Sequence, residues 1–332
     1  MTASSADHAQ ATDRKRGTMQ NNLLDGHDRL TVAVLGPGGV GGLLAALLAR
    51  AGNRVICLAG PETARALDAH GIQVRSARFD DFTAGVETAP ELREPVDACL
   101  VAVKHTSLDA ALERIPARPS AQGDTNADAG LVVPFLNGVE HPTALRARYG
   151  ADRVAPAVIR VESTRIAPGV IEHGSPFAEV DLTGDKLPHA RLTPLSEALE
   201  RAGVRTRVLE DESAALWAKM AFLAPLALLT TRYGVPVGDI RTRHREELST
   251  LVEEVAAVSR ACGALVDPAE AVRRYDGFPP TTRTSMQRDA EAGRPLELDA
   301  IGGALLRAAH RHGVRVPVAD RVVRELQQEA GR

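Results

Sequence analysis

The sequence predicts an α/β domain built on a doubly wound parallel sheet, followed by an all-helical domain. Three observations carry that prediction. Short β-branched runs alternate with helical patterns over residues 30–210, as a parallel sheet with crossover helices requires. A glycine-rich turn joins the first run to the first helical pattern. Beyond about Asp211 the strand texture stops and only amphipathic helical patterns follow. A length of 332 residues suits two domains, at roughly 100–200 residues each. The chain is 44% hydrophobic and 25% charged, which excludes a disordered or collagen-like polymer. Its net charge of −3, from 40 basic and 43 acidic residues, leaves no nucleic-acid footprint. No run approaches the ~20 uninterrupted apolar residues of a membrane span; the longest lies within Ala221–Leu229 and contains Pro225. This balance favours an enzyme acting on a small molecule.

The elements follow in order. Residues 1–29 are rich in Ala, Ser, Asp, Thr and Asn and lack apolar periodicity, so they read as a disordered leader, with Met19 as an alternative start. The basic residues there are not followed by the apolar stretch of a signal peptide. Cys57, Cys99 and Cys262 are too scattered for a disulfide framework, and a reducing, cytoplasmic setting is expected. Thr31–Leu35 is the first strand, and a helix runs on through Leu43, Leu44, Leu47 and Leu48 to Ala51-Gly52. Arg54–Leu58 is the second strand, Thr63–His70 a helix closed by Gly71, and Ala98–Val103 and Leu131–Leu136 are buried strands. Gly123–Ala129 reads as a loop. Val154–Leu182 alternates around Pro168-Gly169 and His173-Gly174-Ser175-Pro176, predicting antiparallel strands that close one edge of the sheet. Leu195–Ala202 is a helix and Arg205–Leu209 the last strand.

Asp211, Glu212 and Ser213 then open a helix carrying Leu216, Trp217, Met220, Phe222 and Leu223, with acidic groups where the helix dipole favours them. Further helices are predicted over Arg241–Cys262, Pro268–Tyr275, Thr282–Ala292, Leu298–His312 and Ala319–Glu329. The expected organisation is a leader at 1–29, an α/β domain at 30–210 and a helical domain at 211–332. A homodimer through the apolar helices is compatible with the pattern, and so is an interdomain core.

The turn Gly36-Pro37-Gly38-Gly39-Val40-Gly41 has the spacing of a dinucleotide-binding fingerprint, directly after a strand and opening a helix. The first glycine permits the tight turn, the second lets backbone approach a pyrophosphate, and the third packs helix on strand. The helix N-terminus offers free N–H groups to phosphate. A Rossmann-type fold follows. At the tip of the second strand, Leu58-Ala59-Gly60-Pro61-Glu62, no acidic residue selects NAD, and Arg65 stands only a turn later, so NADPH and NADH both stay open. The ten histidines have no ligand spacing, and no metal is expected.

Several segments together resemble the ketopantoate reductases (2-dehydropantoate 2-reductases). They are Gly36–Gly41, Val103-Lys104, Asn137-Gly138, Leu216-Trp217-Ala218-Lys219, Ser285-Met286 with Glu297, and the ending His312-Gly313-Val314-Arg315-Val316-Pro317. The resemblance covers nearly everything after residue 30. It implies NADPH-dependent reduction of a 2-oxo acid, by default ketopantoate to pantoate, in pantothenate biosynthesis. It implies that Lys219 is the proton donor, that Lys104 lies near the cofactor, and that Asn137 lies beside nicotinamide and substrate. Ser285 would hold the substrate carboxylate, and Glu297 would serve the cofactor ribose and the catalytic lysine. On spacing alone, Lys219 reads as a snorkelling surface residue, and the competing readings are a turn residue for Asn137, an exposed lysine for Lys104 and a capping hydroxyl for Ser285. Asp289, four residues after Ser285, shares its helical face.

The sequence also departs from the family. The positions of three substrate-binding asparagines are Leu223, Ala227 and Val237, and the NADP-selecting arginine falls at Gly60. A pocket stripped of its hydrogen-bonding groups discriminates differently. A reductase of a more apolar ketone or imine is therefore a competing expectation, and a non-catalytic NADP-binding sensor is a third.

Overall fold

The computed structural model describes residues 29–117 and 130–330. The expected leader, apart from Arg29, and the expected loop Gly123–Ala129 lie outside the described residues. The first half opens as the sequence predicts: β1 (Thr31–Leu35), α1 (Gly39–Arg50), β2 (Arg54–Leu58) and α2 (Pro61–His70). After these come β3 (Ile72–Ser76), β4 (Phe82–Ala84), β5 (Glu87–Ala89), β6 (Ala98–Val101), α3 (Leu108–Leu112), β7 (Leu131–Pro134) and α4 (His141–Tyr149). Five parallel strands make the central sheet, in the order β5-β2-β1-β6-β7. The order reverses between β1 and β6, which is where an open α/β sheet leaves a crevice at its carboxyl edge.

Alternation along β1 shows why both faces are covered. Val32 and Val34 join a core with Leu43, Leu44, Leu47 and Leu48 of α1, whereas Ala33 and Leu35 join one with Leu108, Leu112, Leu145 and Tyr149 on the other side. Cys57 and Cys99 are buried in these two cores, and burial pushes both thiols up to about 12.

The later strands correct the expectation that they close one edge of the central sheet. β8 (Ala157–Arg160), β9 (Ser163–Ala167), β10 (Val170–His173), β11 (Glu179–Thr183) and β12 (Arg205–Leu209) do not extend the central sheet. β9 and β10 pair antiparallel, but β10 also pairs parallel with β3, giving the sheet β4-β3-β10-β9. β11 is antiparallel to β8 and parallel to β12 in a separate three-stranded sheet, with α5 (His189–Arg201) between β11 and β12. The physical reason lies in β3 and β4. Ile72 and Val74 are buried while Arg75 is exposed, so this hairpin needs a partner sheet, and β10 supplies it.

The second half is helical: α6 (Glu212–Tyr233), α7 (Val237–Arg243), α8 (Arg245–Ala261), α9 (Pro268–Asp276), α10 (Ser285–Glu291), a π-helical turn at Asp299–Gly303, α11 (Ala304–Arg311) and α12 (Pro317–Ala330). The single helix expected over Arg241–Cys262 is broken at His244, whose ring stacks on Tyr233 at 3.8 Å between centroids. Asp211 caps α6 by accepting from the Ala214 N–H at 2.8 Å.

α6 is the core of this half. By length and composition it could cross a membrane, but 67% of its most apolar stretch is buried within the protein. Pro225 interrupts its hydrogen-bond ladder, because proline has no N–H to offer the carbonyl four residues earlier. That carbonyl belongs to Ala221, and the buried Tyr275 of α9 covers it: the hydroxyl lies 3.2 Å from Ala221 O and 2.9 Å from Phe222 O. Removing the hydroxyl strands a buried acceptor, at a cost of about 1–3 kcal/mol. Tyr275→Phe is expected to lower stability in urea unfolding by that amount. Adding Pro225→Ala restores an N–H to the ladder, so the double variant should lose less than the sum of the two single changes.

Candidate active site

The glycine turn sits at the switch between β1 and β6. Gly36 has φ of +85°, and a Cβ there would stand 2.6 Å from the Val103 side chain beyond β6. At Gly41 a Cβ would stand 2.3 Å from Gly36 O, so this glycine lets α1 lie against the turn. Gly39 packs on Ser163 at the start of β9, whose hydroxyl donates to Gly39 O at 2.7 Å. Gly38, the residue before α1, is loosely surrounded: a Cβ there would meet only Gly36 O, at 3.9 Å. The first intrahelical bond is Gly42 N–H to Gly38 O at 2.8 Å, so the N–H groups of Gly39, Val40 and Gly41 precede the ladder. Pro37 is buried in the turn, and Val40 packs on the core of α1. The cradle has the shape and donors that a pyrophosphate requires.

Lys104 and Asn137 lie just beyond the carboxyl ends of β6 and β7. Each meets a carboxylate from the helical half. Lys104 Nζ donates to both oxygens of Asp289 at 2.6 Å, and Arg294 Nε holds the same carboxylate at 2.9 Å. Asn137 Nδ2 donates to Glu297 Oε2 at 3.0 Å, and the His105 backbone N–H to Oε1 at 2.9 Å. Asp289 and Glu297 are both buried, so these donors replace the water each carboxylate has lost. Gly138, at φ of +92°, allows the approach, because a Cβ there would stand 2.4 Å from Ala300 O in the π-helical turn.

Lys219 is partly buried on α6, two turns past its cap. Among the described residues it makes no hydrogen bond and no ion pair. Burial and the Arg160 guanidinium press its ammonium down to about 8, against the opposing pull of Glu297. Its field thus joins it to Glu297 and to the end of β8. Arg160 is held there by Glu179 at 3.1 Å and by the buried Asp181 at 2.7 Å.

Ser285 is exposed at the first position of α10. The cap of that helix is Thr284, not Ser285: its hydroxyl accepts from Gln287 N–H at 3.2 Å. Of the three apolar positions, Ala227 and Val237 are buried in the helical core, and only Leu223 is partly exposed. Among the described residues no group of His, Cys, Asp and Glu could hold a metal.

One side chain of this region had no place in the sequence reading. His141 begins α4 and is 2% exposed, and neither ring nitrogen has a hydrogen-bond partner among the described residues. Burial, with Lys219, His105 and Arg146 nearby, lowers it to about 3, so the ring is neutral. Only the Pro142 that follows it, a helix-start signal, marked the place in the sequence.

The model of the family "Ketopantoate reductase PanE/ApbA" matches residues 32–182, and that of its C-terminal region matches residues 211–330. The 2-dehydropantoate 2-reductase of Mycobacterium tuberculosis is 32% identical over 309 residues, covering 88% of this chain and 95% of the relative. The chain belongs to the ketopantoate reductase family. It is an oxidoreductase of the class acting on CH–OH groups, and 2-oxo acid reduction is the family's chemistry. The 2-dehydropantoate 2-reductase of Caulobacter vibrioides is 30% identical over 313 residues, covering 90% of this chain and 99% of that one. The crystal structure of 2-dehydropantoate 2-reductase from Geobacter metallireducens superposes with a TM-score of 0.80 at 27% identity, covering 90% of this chain and all of the other. D-mandelate dehydrogenase with NADH and anilino(oxo)acetate shares the fold, with a TM-score of 0.80 at 19% identity over 91% of this chain and 99% of that one.

The burial of His141 makes a pH-dependent prediction. Its unfolded value is 6.5 and its folded value about 3. Between those values the unfolded chain binds the extra proton, so the contribution of His141 to stability falls as pH is lowered through that window. Stability of the parent minus that of His141→Gln, measured by denaturant unfolding, should decline from pH 6.5 towards 3. A difference that stays flat with pH would contradict a buried neutral ring.

Proposed function

We propose that this family member reduces a 2-oxo acid to the 2-hydroxy acid with NADPH, with ketopantoate as the default substrate and Lys219 as the proton donor. The observation that carries the reading is the state of Lys219: a partly buried ammonium with no ionic partner among the described residues, brought down to about 8, in the field of a Glu297 that is itself tied to Asn137 at the sheet edge. The dinucleotide would lie with its pyrophosphate against Gly36, Pro37, Gly38, Gly39, Val40 and Gly41, and with its nicotinamide towards Lys104 and Asn137. When bound in reduced form, it supplies a hydride to the carbonyl carbon.

The residues of the chain manage the oxygen and the proton. As negative charge develops on the carbonyl oxygen, the Lys219 ammonium stabilises it and transfers a proton to it. The amine left on Nζ regains its proton from solvent. Glu297 opposes the loss of charge on Lys219, and through Asn137 it fixes the amide beside the reacting carbon. Ser285 offers an exposed hydroxyl to the substrate carboxylate.

A second reading rests on Leu223. It is the one apolar replacement that reaches the surface, and it favours a 2-oxo acid or ketone with an apolar chain over one with a hydroxyl end. Turnover of ketopantoate beside a panel of apolar 2-oxo acids separates the two.

Proton donation requires the ammonium, so kcat for reduction should fall as pH rises through about 8, where Lys219 deprotonates. The reverse oxidation should rise over the same range. Lys219→Ala should lower kcat by roughly 10²–10⁴-fold while NADPH binding, followed by fluorescence, stays nearly unchanged. Full activity in that variant would overturn the assignment.

A further inference from the structure

The tip of β2 lacks both side chains that usually read the ribose of a dinucleotide: Gly60 stands there, and no acid replaces it. The space is bordered by a cation from elsewhere in the chain. A Cβ at Gly60 would stand 4.0 Å from Nη2 of Arg114, which follows α3. The backbone fixes that position strand by strand. Leu58 of β2 pairs with Ala89 of β5, Ala59 N–H bonds Ala89 O at 3.2 Å, and Leu92 N–H bonds Arg114 O at 2.8 Å. Arg114 is therefore seated on the chain that runs out of the strand next to β2. Arg114 is partly exposed, and among the described residues its guanidinium makes no hydrogen bond and no ion pair. Arg54, at the opposite end of β2, is committed to Glu87 and Glu94.

We infer that Arg114 is the residue that reads the 2′-phosphate of NADPH, reaching across Gly60 to the place where a side chain at the strand tip would otherwise stand. A phosphate carries about two negative charges and three acceptor oxygens, and a planar guanidinium with free N–H groups meets it bidentately. Glycine at residue 60 is then part of the arrangement, since a longer side chain would fill the space between the ribose and the guanidinium. The inference rests on the reading that the turn Gly36–Gly41 binds a dinucleotide, and it adds the basis for choosing NADPH over NADH.

Dissociation constants for NADPH, NADH, adenosine 2′,5′-bisphosphate and AMP, by calorimetry on the full chain, test it without any substrate. The parent should bind NADPH more tightly than NADH, and the bisphosphate more tightly than AMP. A charge-assisted bond to phosphate is worth roughly tenfold to a hundredfold in affinity. Arg114→Ala should lose that factor for NADPH and the bisphosphate and leave NADH and AMP unchanged, with Arg114→Lys in between. Arg65→Ala, on α2, serves as the control and should change none of the four. An unaltered preference in Arg114→Ala, or no preference in the parent, would overturn the inference. Failure of the parent to bind either dinucleotide would overturn the dinucleotide reading itself.

Discussion

Two carboxylates that have given up their water, Asp289 and Glu297, hold this molecule in its working shape. A buried carboxylate is tolerated only where donors face its oxygens. Here three of the donors, Lys104, His105 and Asn137, come from the other half of the chain, just beyond the ends of β6 and β7, and Arg294 joins them from the helical half. The helical half is thus tied to the carboxyl edge of the sheet, where the crevice of a doubly wound fold lies. Other features serve the same approach. Gly138 gives up its side chain to the π-helical turn, and that turn begins two residues after Glu297. π turns often occur where a helix has been adjusted around a site.

The same junction sets the electrostatics of Lys219. Burial and Arg160 disfavour its charge, and Glu297 favours it. A value near 8 is the balance of those effects, and it places the group where an acid can both hold and release a proton near neutral pH. His141 contributes by staying neutral. A second cation buried beside Lys219 would push the ammonium down further.

Much of this was legible in the sequence, for definite reasons. The strand–glycine turn–helix–strand unit is local, and β1, β2 and β12 begin and end where their β-branched runs do. Lys219, Asn137, Ser285 and Glu297 were found by resemblance, because nothing in their spacing separates them from surface or capping residues. The partnership of β10 with β3 was not legible: it is a parallel pairing of two short strands nearly a hundred residues apart, and short alternating runs do not name their partner. Neither the break at His244 nor the buried ring of His141 was legible, since each depends on what packs against it. The apolar replacements show a different limit. Leu223, Ala227 and Val237 read alike in the sequence, yet packing leaves only Leu223 with a route to solvent.

Pro225 ties the order of assembly to a residue far along the chain. A helix ordinarily completes its ladder from its own residues, on the fast timescale of local contacts. α6 cannot, because the acceptor that Pro225 leaves open is met by a hydroxyl 54 residues later. Three further helical segments, α7, α8 and α9, must be laid down before the middle of α6 is complete. The central helix is then finished from outside, and the helical half gains its core as one cooperative unit with non-local closure, not as a stack of independently stable helices. Because Lys219 lies on the same helix, six residues before Pro225, the placement of its ammonium is inherited from that closure.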